Sequence, residues 1–303
     1  ETDPRFVADI RECHTVIPLV ASRLPALSAL VDGLQARREI PQIEFIVGDA
    51  QPDTDGNGFS GVALTVRHLA PLSDSDRDAL VAFGRQHGFA IFLQPGGLDT
   101  VHPLWPESPK LAFSLPQWNL EFLFRPLDFI QVNAGLNGKM IQLAIDLLDP
   151  KPEDRVLDLF AGLGNFTLPL ARQVREVVGV EGEAGLVRRA RENAAHNGIT
   201  NAEFHAADLA KDLSGEYWMA THAGGRPFNK LLLDPPRSGA DVVLAQLPLK
   251  QFDRIVYVSC HPASLARDAG FLVKERGWKL KAAGVMDMFP HTAHVESIAM
   301  FER

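Results

Sequence analysis

The sequence predicts an α/β protein: a doubly wound, Rossmann-like parallel sheet over residues 129–303, preceded by a smaller mixed α/β domain over 1–128. Three observations predict it. From about residue 135, short apolar runs alternate with stretches of helical spacing. The first run, Val156–Phe160, leads directly into a glycine-rich turn. In the first part, Asp55-Gly56-Asn57-Gly58 supplies hairpin-turn chemistry between two segments that alternate like strands, Ile43–Val47 and Val62–Val66.

Within residues 1–128, Val16, Val20, Leu24, Leu27 and Leu30 give helical spacing over 11–34, with Pro25 expected to kink or split that helix. Ser73–His87 reads as a second helix: Ser73 suits the N-cap, and Asp74, Asp76 and Asp78 suit the positive end of its dipole. Further strands fit near 89–93 and 119–124. No catalytic spacing occurs here, so a scaffold or substrate-positioning role is expected.

Across 129–303 the strand candidates are Val156–Phe160, Val177–Glu181, Glu203–His205, Lys230–Asp234 and Ile255–Ser259. Helical stretches lie at roughly 165–173, 183–197, 207–213, 240–248 and 263–275. Two last strands, near 279–287 and 295–301, suit an antiparallel hairpin at a sheet edge.

The bulk properties narrow the function classes. No apolar run reaches membrane-spanning length and no secretory signal opens the chain. Two cysteines make no disulfide framework, so a reducing, cytoplasmic setting is expected. The chain begins Glu1-Thr2-Asp3 without Met, which suggests a piece of something longer. The net charge of −8 argues against a nucleic-acid partner, but it is unevenly placed. Residues 1–128 hold 10 Lys/Arg against 17 Asp/Glu, and 129–303 hold 20 against 21. The second part has room for a local basic face, for example around Arg188, Arg189 and Arg191, although a solvated helix face is the favoured reading of that triplet.

Asp158-x-Phe160-x-Gly162-x-Gly164 is a buried strand running into a turn that lets a ligand approach the backbone and a helix start. Asn165-Phe166-Thr167 follows, so the third glycine of a dinucleotide-binding turn is missing. The second strand ends in Glu181, suited to the two ribose hydroxyls of a nucleoside. Asp208 follows the third, where it could take an adenine amino group. This set resembles the S-adenosylmethionine-dependent methyltransferases.

The fourth strand ends in Asp234-Pro235-Pro236-Arg237 and the fifth in Ser259-Cys260-His261-Pro262, opening at the same sheet edge. A related Asp-Pro-Pro loop of amino-group methyltransferases carries an aromatic where Arg237 stands. The cysteine suggests other chemistry. Carbon 5 of a pyrimidine is a poor nucleophile until a thiolate adds at carbon 6, and a base must afterwards remove the C5 proton. Cys260 is the candidate thiolate and Glu296 the candidate base; Asp234 can accept from uracil N3–H, which cytosine lacks.

With Asp128–Gly135, Ile255–Asp268 and Met286–Glu296, these segments together resemble the RNA uracil-5-methyltransferase family, and within it the branch acting on 23S ribosomal RNA. The resemblance implies that Gln131, Phe160, Asn165, Glu181 and Asp208 contact S-adenosylmethionine, with Asp234 at both the cofactor and the base. It implies Cys260 as nucleophile, Glu296 as base and uracil-1939 of 23S RNA as the target. It also implies an RNA-binding β-barrel and a [4Fe–4S] cluster on four cysteines. Only Cys13 matches such a ligand, so this chain alone is not expected to assemble the cluster. A monomer without protein partners is expected. Two other readings stay open: amino-group methylation through Asp234-Pro235-Pro236, and a non-catalytic RNA-binding or assembly module that retains the fold.

Overall fold

A computed structural model describes residues 10–50, 59–219 and 227–303. The expected turn at 55–58 lies outside the described residues. The chain divides into two compact units: one runs to Phe113 and takes in Leu123–Asp128, the other comprises Ser114–Phe122 and Phe129–Arg303.

The first unit contains α1 (Pro18–Ala21), α2 (Leu24–Gly33), β1 (Gln42–Val47), β2 (Val62–Arg67), α3 (Asp74–His87), β3 (Ala90–Gln94) and β4 (His102–Trp105). The expected helix over 11–34 is shorter and divided. It begins only at Pro18 and breaks at Ser22 and Arg23, and Pro25 sits in the first turn of α2. There a missing N–H costs little, because first-turn N–H groups have no intrahelical partner. The strands order β1-β2-β3-β4, with β1/β2 and β3/β4 antiparallel and β2/β3 parallel. The parallel pair requires a crossover, and α3 supplies it. Ser73 Oγ accepts from Asp76 N–H at 3.2 Å to start α3, and Gly88 ends it at φ 65°. Leu64, Val66, Ile91 and Leu93 from the sheet bury against Leu80 and Phe83 of α3. Strand β4 went unforeseen: His102-Pro103-Leu104-Trp105 has little strand character, and its proline is tolerated because β4 is an edge strand.

A two-stranded ribbon, β5 (Ala112–Leu115) and β6 (Leu120–Leu123), spans the division in sequence.

The second unit continues with α4 (Ala134–Leu148), which sequence reading also passes over. Two glycines and an asparagine in its first turns weaken its propensity. Its buried stripe of Met140, Ile141, Ala144, Ile145 and Leu148 stabilises it instead. Then come β7 (Arg155–Leu159), α5 (Thr167–Ala171), β8 (Glu176–Glu181), α6 (Ala184–His196), β9 (Ala202–Ala206), β10 (Lys230–Leu233), α7 (Asp241–Gln246), β11 (Arg254–Ser259), α8 (Pro262–Lys274), β12 (Lys279–Met286) and β13 (Glu296–Glu302). The seven-stranded sheet orders β12-β13-β11-β10-β7-β8-β9. Five strands, β11 to β9 in that order, are parallel, and β13 and β12 add as the antiparallel hairpin expected at one edge. The doubly wound fold class is therefore as the sequence predicts. The winding reverses between β7 and β10, so the crevice at their carboxyl ends is where such sheets bind ligands.

One expected helix is absent: residues 207–213 form turns. Asp208 Oδ1 accepts from Ala210 N–H at 3.1 Å, an Asx turn that competes with helix. Leu209 and Leu213 still bury, which explains their helix-like apolar spacing. Among the described residues, no helix is long and apolar enough to cross a membrane.

Candidate active site

Strand β7 ends by turning its backbone into the left-handed region. Phe160 takes φ 65°, followed by Gly162 at 55° and Gly164 at 91°. For a phenylalanine this conformation is costly, and such strain collects at ligand loops. A side chain built at Gly162 would meet nothing within 4 Å, so the loop faces open space there. Glu181, at the end of β8, accepts from Gly162 N–H at 3.1 Å and Glu183 N–H at 2.9 Å. It ties the two loops together, and each carboxylate oxygen keeps a lone pair for a ligand hydroxyl. Asp208, beyond β9, is exposed and paired with Lys211 at 3.0 Å. The Lys211 ammonium, and then the Ala210 N–H, hold its pKa below the usual carboxylate range. Asn165 pairs with Asn137 of α4. Gln131 lies half-buried just ahead of the α4 N-cap, Asn133.

On the other side of the switch point, Leu233 of β10 is level with Leu159 of β7 and with Tyr257 of β11. Asp234 therefore emerges beside Phe160 at the carboxyl edge. Its loop is anchored from α8: Asp268 accepts from Ala240 N–H at 2.8 Å and from Tyr257 Oη at 2.6 Å. Cys260 follows β11. Its turn is held by Ser259 Oγ, which accepts from His261 N–H at 3.1 Å, and by Ser297 Oγ, which donates to Ser259 O at 2.9 Å.

The decisive geometry is the antiparallel pairing of β11 with β13. Ser259 pairs with Ser297. One step further along this ladder, Cys260 and Glu296 come level, because antiparallel neighbours advance in opposite directions. Glu296 is 3% exposed and its Oε1 has no hydrogen-bond partner among the described residues. A buried carboxylate oxygen left in that state invites a substrate group or a proton. Glu296, the candidate base of the sequence, is thus a buried residue and not a solvated edge carboxylate.

The electrostatics agree with the geometry. Burial, with a further push from Asp234, raises the Glu296 pKa to about 8. Burial raises Asp234 to about 7. The Cys260 thiol is pushed up first by burial, then by Glu296 and Asp234, while Arg237 pulls it down. Asp158, fully buried in β7, accepts from Thr167 Oγ1 at 2.5 Å, and its Oδ1 has no partner among the described residues. Burial raises it to about 7 against the opposing Thr167 bond, and Asp234 and Glu181 add to the rise. The carboxyl edge thus gathers three carboxyls, Asp158, Asp234 and Glu296, and a thiol, all with raised pKa. Perturbed groups so clustered mark functional sites.

Asp158 appears in the sequence only as part of a motif. A charged residue within an otherwise apolar central strand was the available signal for its role. Asn137 had no such signal. Of the arginine triplet, Arg188 and Arg191 are exposed, Arg191 also donating to Phe204 O, while Arg189 is only 8% exposed.

In the first unit, Cys13 lies in a loop ahead of α1, with its Sγ 3.1 Å from Thr15 Oγ1. Hydrogen bonds from Thr15 lower its pKa. Among the described residues, no group of three His, Cys, Asp or Glu could hold a metal ion. An iron–sulfur cluster ordinarily needs four thiolates, and this chain has two cysteines, in different units. The residues present do not fit that cluster.

The profile of the family described as "tRNA (Uracil-5-)-methyltransferase" matches residues 114–303, more than half of the chain. The chain belongs to this family. The segment shared with the uracil-5-methyltransferases begins at Ser114, where the second unit also begins. Similarity to individual members extends over both units. The "23S rRNA (uracil(1939)-C(5))-methyltransferase RlmD" of Xanthomonas euvesicatoria pv. vesicatoria (strain 85-10) is 65% identical over 303 residues, covering 100% of this chain and 65% of that relative. The protein of the same name from Stenotrophomonas maltophilia (strain K279a) is 63% identical with the same coverage. The chain thus spans 65% of the length of these curated relatives. The crystal structure of the Pyrococcus abyssi tRNA (uracil-54, C5)-methyltransferase in complex with S-adenosyl-L-homocysteine matches with TM-score 0.72 at 21% identity, over 98% of this chain and 70% of that one. At that identity the likeness establishes the fold.

Proposed function

We propose that this chain carries an S-adenosylmethionine-dependent activity that methylates C5 of a uracil in 23S ribosomal RNA. The observation that carries the reading is the β11/β13 register, which sets Cys260 level with Glu296 at an edge where Asp234 is also electrostatically coupled to both. The names of the 63–65% identical relatives support the substrate, uracil-1939 included.

Cys260 acts as a thiolate and adds to C6 of the uracil, and the electron pair of the C5–C6 double bond makes C5 nucleophilic. S-adenosylmethionine, when bound, supplies the methyl group that C5 takes. Glu296 in its ionised form then removes the C5 proton. The C–H pair re-forms the double bond and expels the Cys260 thiolate. The uracil gains a methyl and loses one proton. Asp234 accepts from the uracil N3–H and so selects against cytosine.

Glu181 serves the ribose hydroxyls and Asp208 the adenine amino group. Gln131, Phe160 and Asn165 complete the cofactor contacts. These assignments fit the open space over Gly162 and the spare lone pairs of Glu181. The first unit serves to position RNA. The target base must leave its stack, at a cost of roughly a few kcal/mol unless it is already unstacked.

The test is a 23S fragment substituted with 5-fluorouridine, incubated with the chain and S-adenosylmethionine. Fluorine at C5 blocks proton removal, so a covalent adduct should accumulate with the parent and be absent from Cys260→Ala. No adduct with folded, S-adenosylhomocysteine-binding protein would overturn the reading. So would an equal yield from the variant, and retained turnover in Cys260→Ala with an N-methylated product would move it to amino-group chemistry. A tRNA offered in parallel checks the RNA class.

A further inference from the structure

We infer that the first unit holds a pocket for one nucleotide of the substrate RNA, distinct from the uracil that is methylated. The inference rests on the RNA reading above. A cavity of about 380 Å³ opens at one end of the four-stranded sheet, lined by His68, Leu69, Arg77, Leu93, Pro95 and His102 among others. That is within the usual range for small-ligand sites.

The sheet register builds it. His68 continues from β2, and its N–H donates to Gln94 O at 3.1 Å. His102 opens β4 level with Leu93 of β3. The two imidazoles therefore flank the end of β3, two strand spacings or roughly 10 Å across the sheet. Leu93 and Pro95 lie between them, and α3 contributes Arg77.

The polar groups are preset for a ligand. His68 Nδ1 lies 2.8 Å from Ala70 O, and His102 Nδ1 lies 2.9 Å from Thr100 O. A carbonyl only accepts, so each Nδ1 carries a proton, and each Nε2 is left to accept when neutral or donate when charged. His68 is 7% exposed, and its Nε2 is buried with no partner among the described residues. Arg77 lines the cavity as an exposed side chain of α3, without a side-chain hydrogen bond or ion pair among the described residues.

Charge and shape name the ligand class. Residues 1–128 hold 17 acidic against 10 basic side chains, yet no acidic residue lines this cavity. In such surroundings an unpaired guanidinium facing a cavity favours a phosphate. A bare anion would leave the apolar wall unused, including Leu69, which is 64% exposed. An apolar ligand would leave the buried His68 Nε2 unanswered. A nucleotide satisfies both: its base lies against Leu69 and Pro95 with its edge toward the imidazoles, and its phosphate meets Arg77.

The experiment is salt-dependent binding of a single-stranded 23S fragment by the chain and by Arg77→Gln, Arg77→Lys and His102→Ala. Arg77→Gln should weaken RNA binding about 5-fold and lower the slope of log K against log salt by roughly 0.7, one phosphate contact. Arg77→Lys should keep the parent slope. His102→Ala should weaken binding with the slope unchanged. S-adenosylhomocysteine affinity should match the parent throughout. Parent-like RNA affinity and slope in Arg77→Gln and His102→Ala would overturn the pocket and leave the RNA reading standing. A parallel fall in S-adenosylhomocysteine affinity would overturn it as well, by showing general damage. A parent chain that binds no RNA would overturn the RNA reading itself, and this inference with it.

Discussion

Asn137 and Asn165 bond to each other twice. Asn137 Nδ2 donates to Asn165 Oδ1 at 3.0 Å, and Asn165 Nδ2 donates to Asn137 Oδ1 at 2.9 Å. Asn137 is 3% exposed on α4, and Asn165 sits in the glycine loop after β7. The amide pair fixes that loop to a helix whose N-cap lies two residues beyond Gln131. Asn137→Ala strips the half-buried Asn165 amide of both bonds, so unfolding stability should fall by about 1–3 kcal/mol in urea titration. S-adenosylhomocysteine should also bind more weakly by calorimetry. Asn165→Ala should behave alike, and the double variant should be little worse than either single one. Additive losses would show that the pairing is not the operative contact.

Stability should fall as pH rises from about 4 to about 7, and Asp158 is one reason. Its pKa is 3.8 ordinarily and about 7 in the fold. Between those values the folded chain keeps a proton that the unfolded chain has lost. The contribution of Asp158 is therefore fully present below the ordinary pKa and is lost as pH rises through the folded one. Its size is on the order of a few kcal/mol. Asp234 and Glu296 act in the same direction. Thermal melts should show Tm lower at pH 8 than at pH 5, and Asp158→Asn should flatten the difference. A parent Tm that rises over this range would contradict the assignment.

The Cys260 thiol should respond to its charged neighbours in opposite senses. Glu296→Gln removes a repelling charge, and Arg237→Gln removes an attracting one. Iodoacetamide labelling against pH, read on the Cys260 peptide by mass spectrometry, should show the midpoint drop in the first variant and rise in the second. Reading the peptide separates Cys260 from Cys13. Methylation should be lost in Glu296→Gln even though its cysteine labels faster at pH 8, which separates the base from a modulator of the thiol.

Cys13 should not nucleate a cluster in this chain. Anaerobic reconstitution with iron and sulfide should leave no iron–sulfur absorption, and Cys13→Ser should leave S-adenosylhomocysteine affinity unchanged. A stable cluster on the 303-residue chain would show that ligands other than cysteine complete the set.

The sequence by itself determined the α/β alternation of the second unit, the helix capped by Ser73, and the strand ends that carry Glu181, Asp234 and Cys260. These features are local: apolar period, capping chemistry and punctuating Gly and Pro act within a few residues, so a linear reading reaches them. Only the tertiary structure decided the rest. Residues 207–213 carry helical spacing, but the Asp208 side chain captures the Ala210 N–H and turns the chain. The helical period of 183–197 is real, yet it sends Arg189 inward and leaves only Arg188 and Arg191 of the triplet exposed. Cys260 was recognisable as chemistry from its place after β11. The position of Glu296 depended on which strand paired with β11, in which direction and in what register, and no local property of either segment encodes that choice. The antiparallel Ser259–Ser297 pairing supplies it, and the burial that follows raises the Glu296 pKa to about 8.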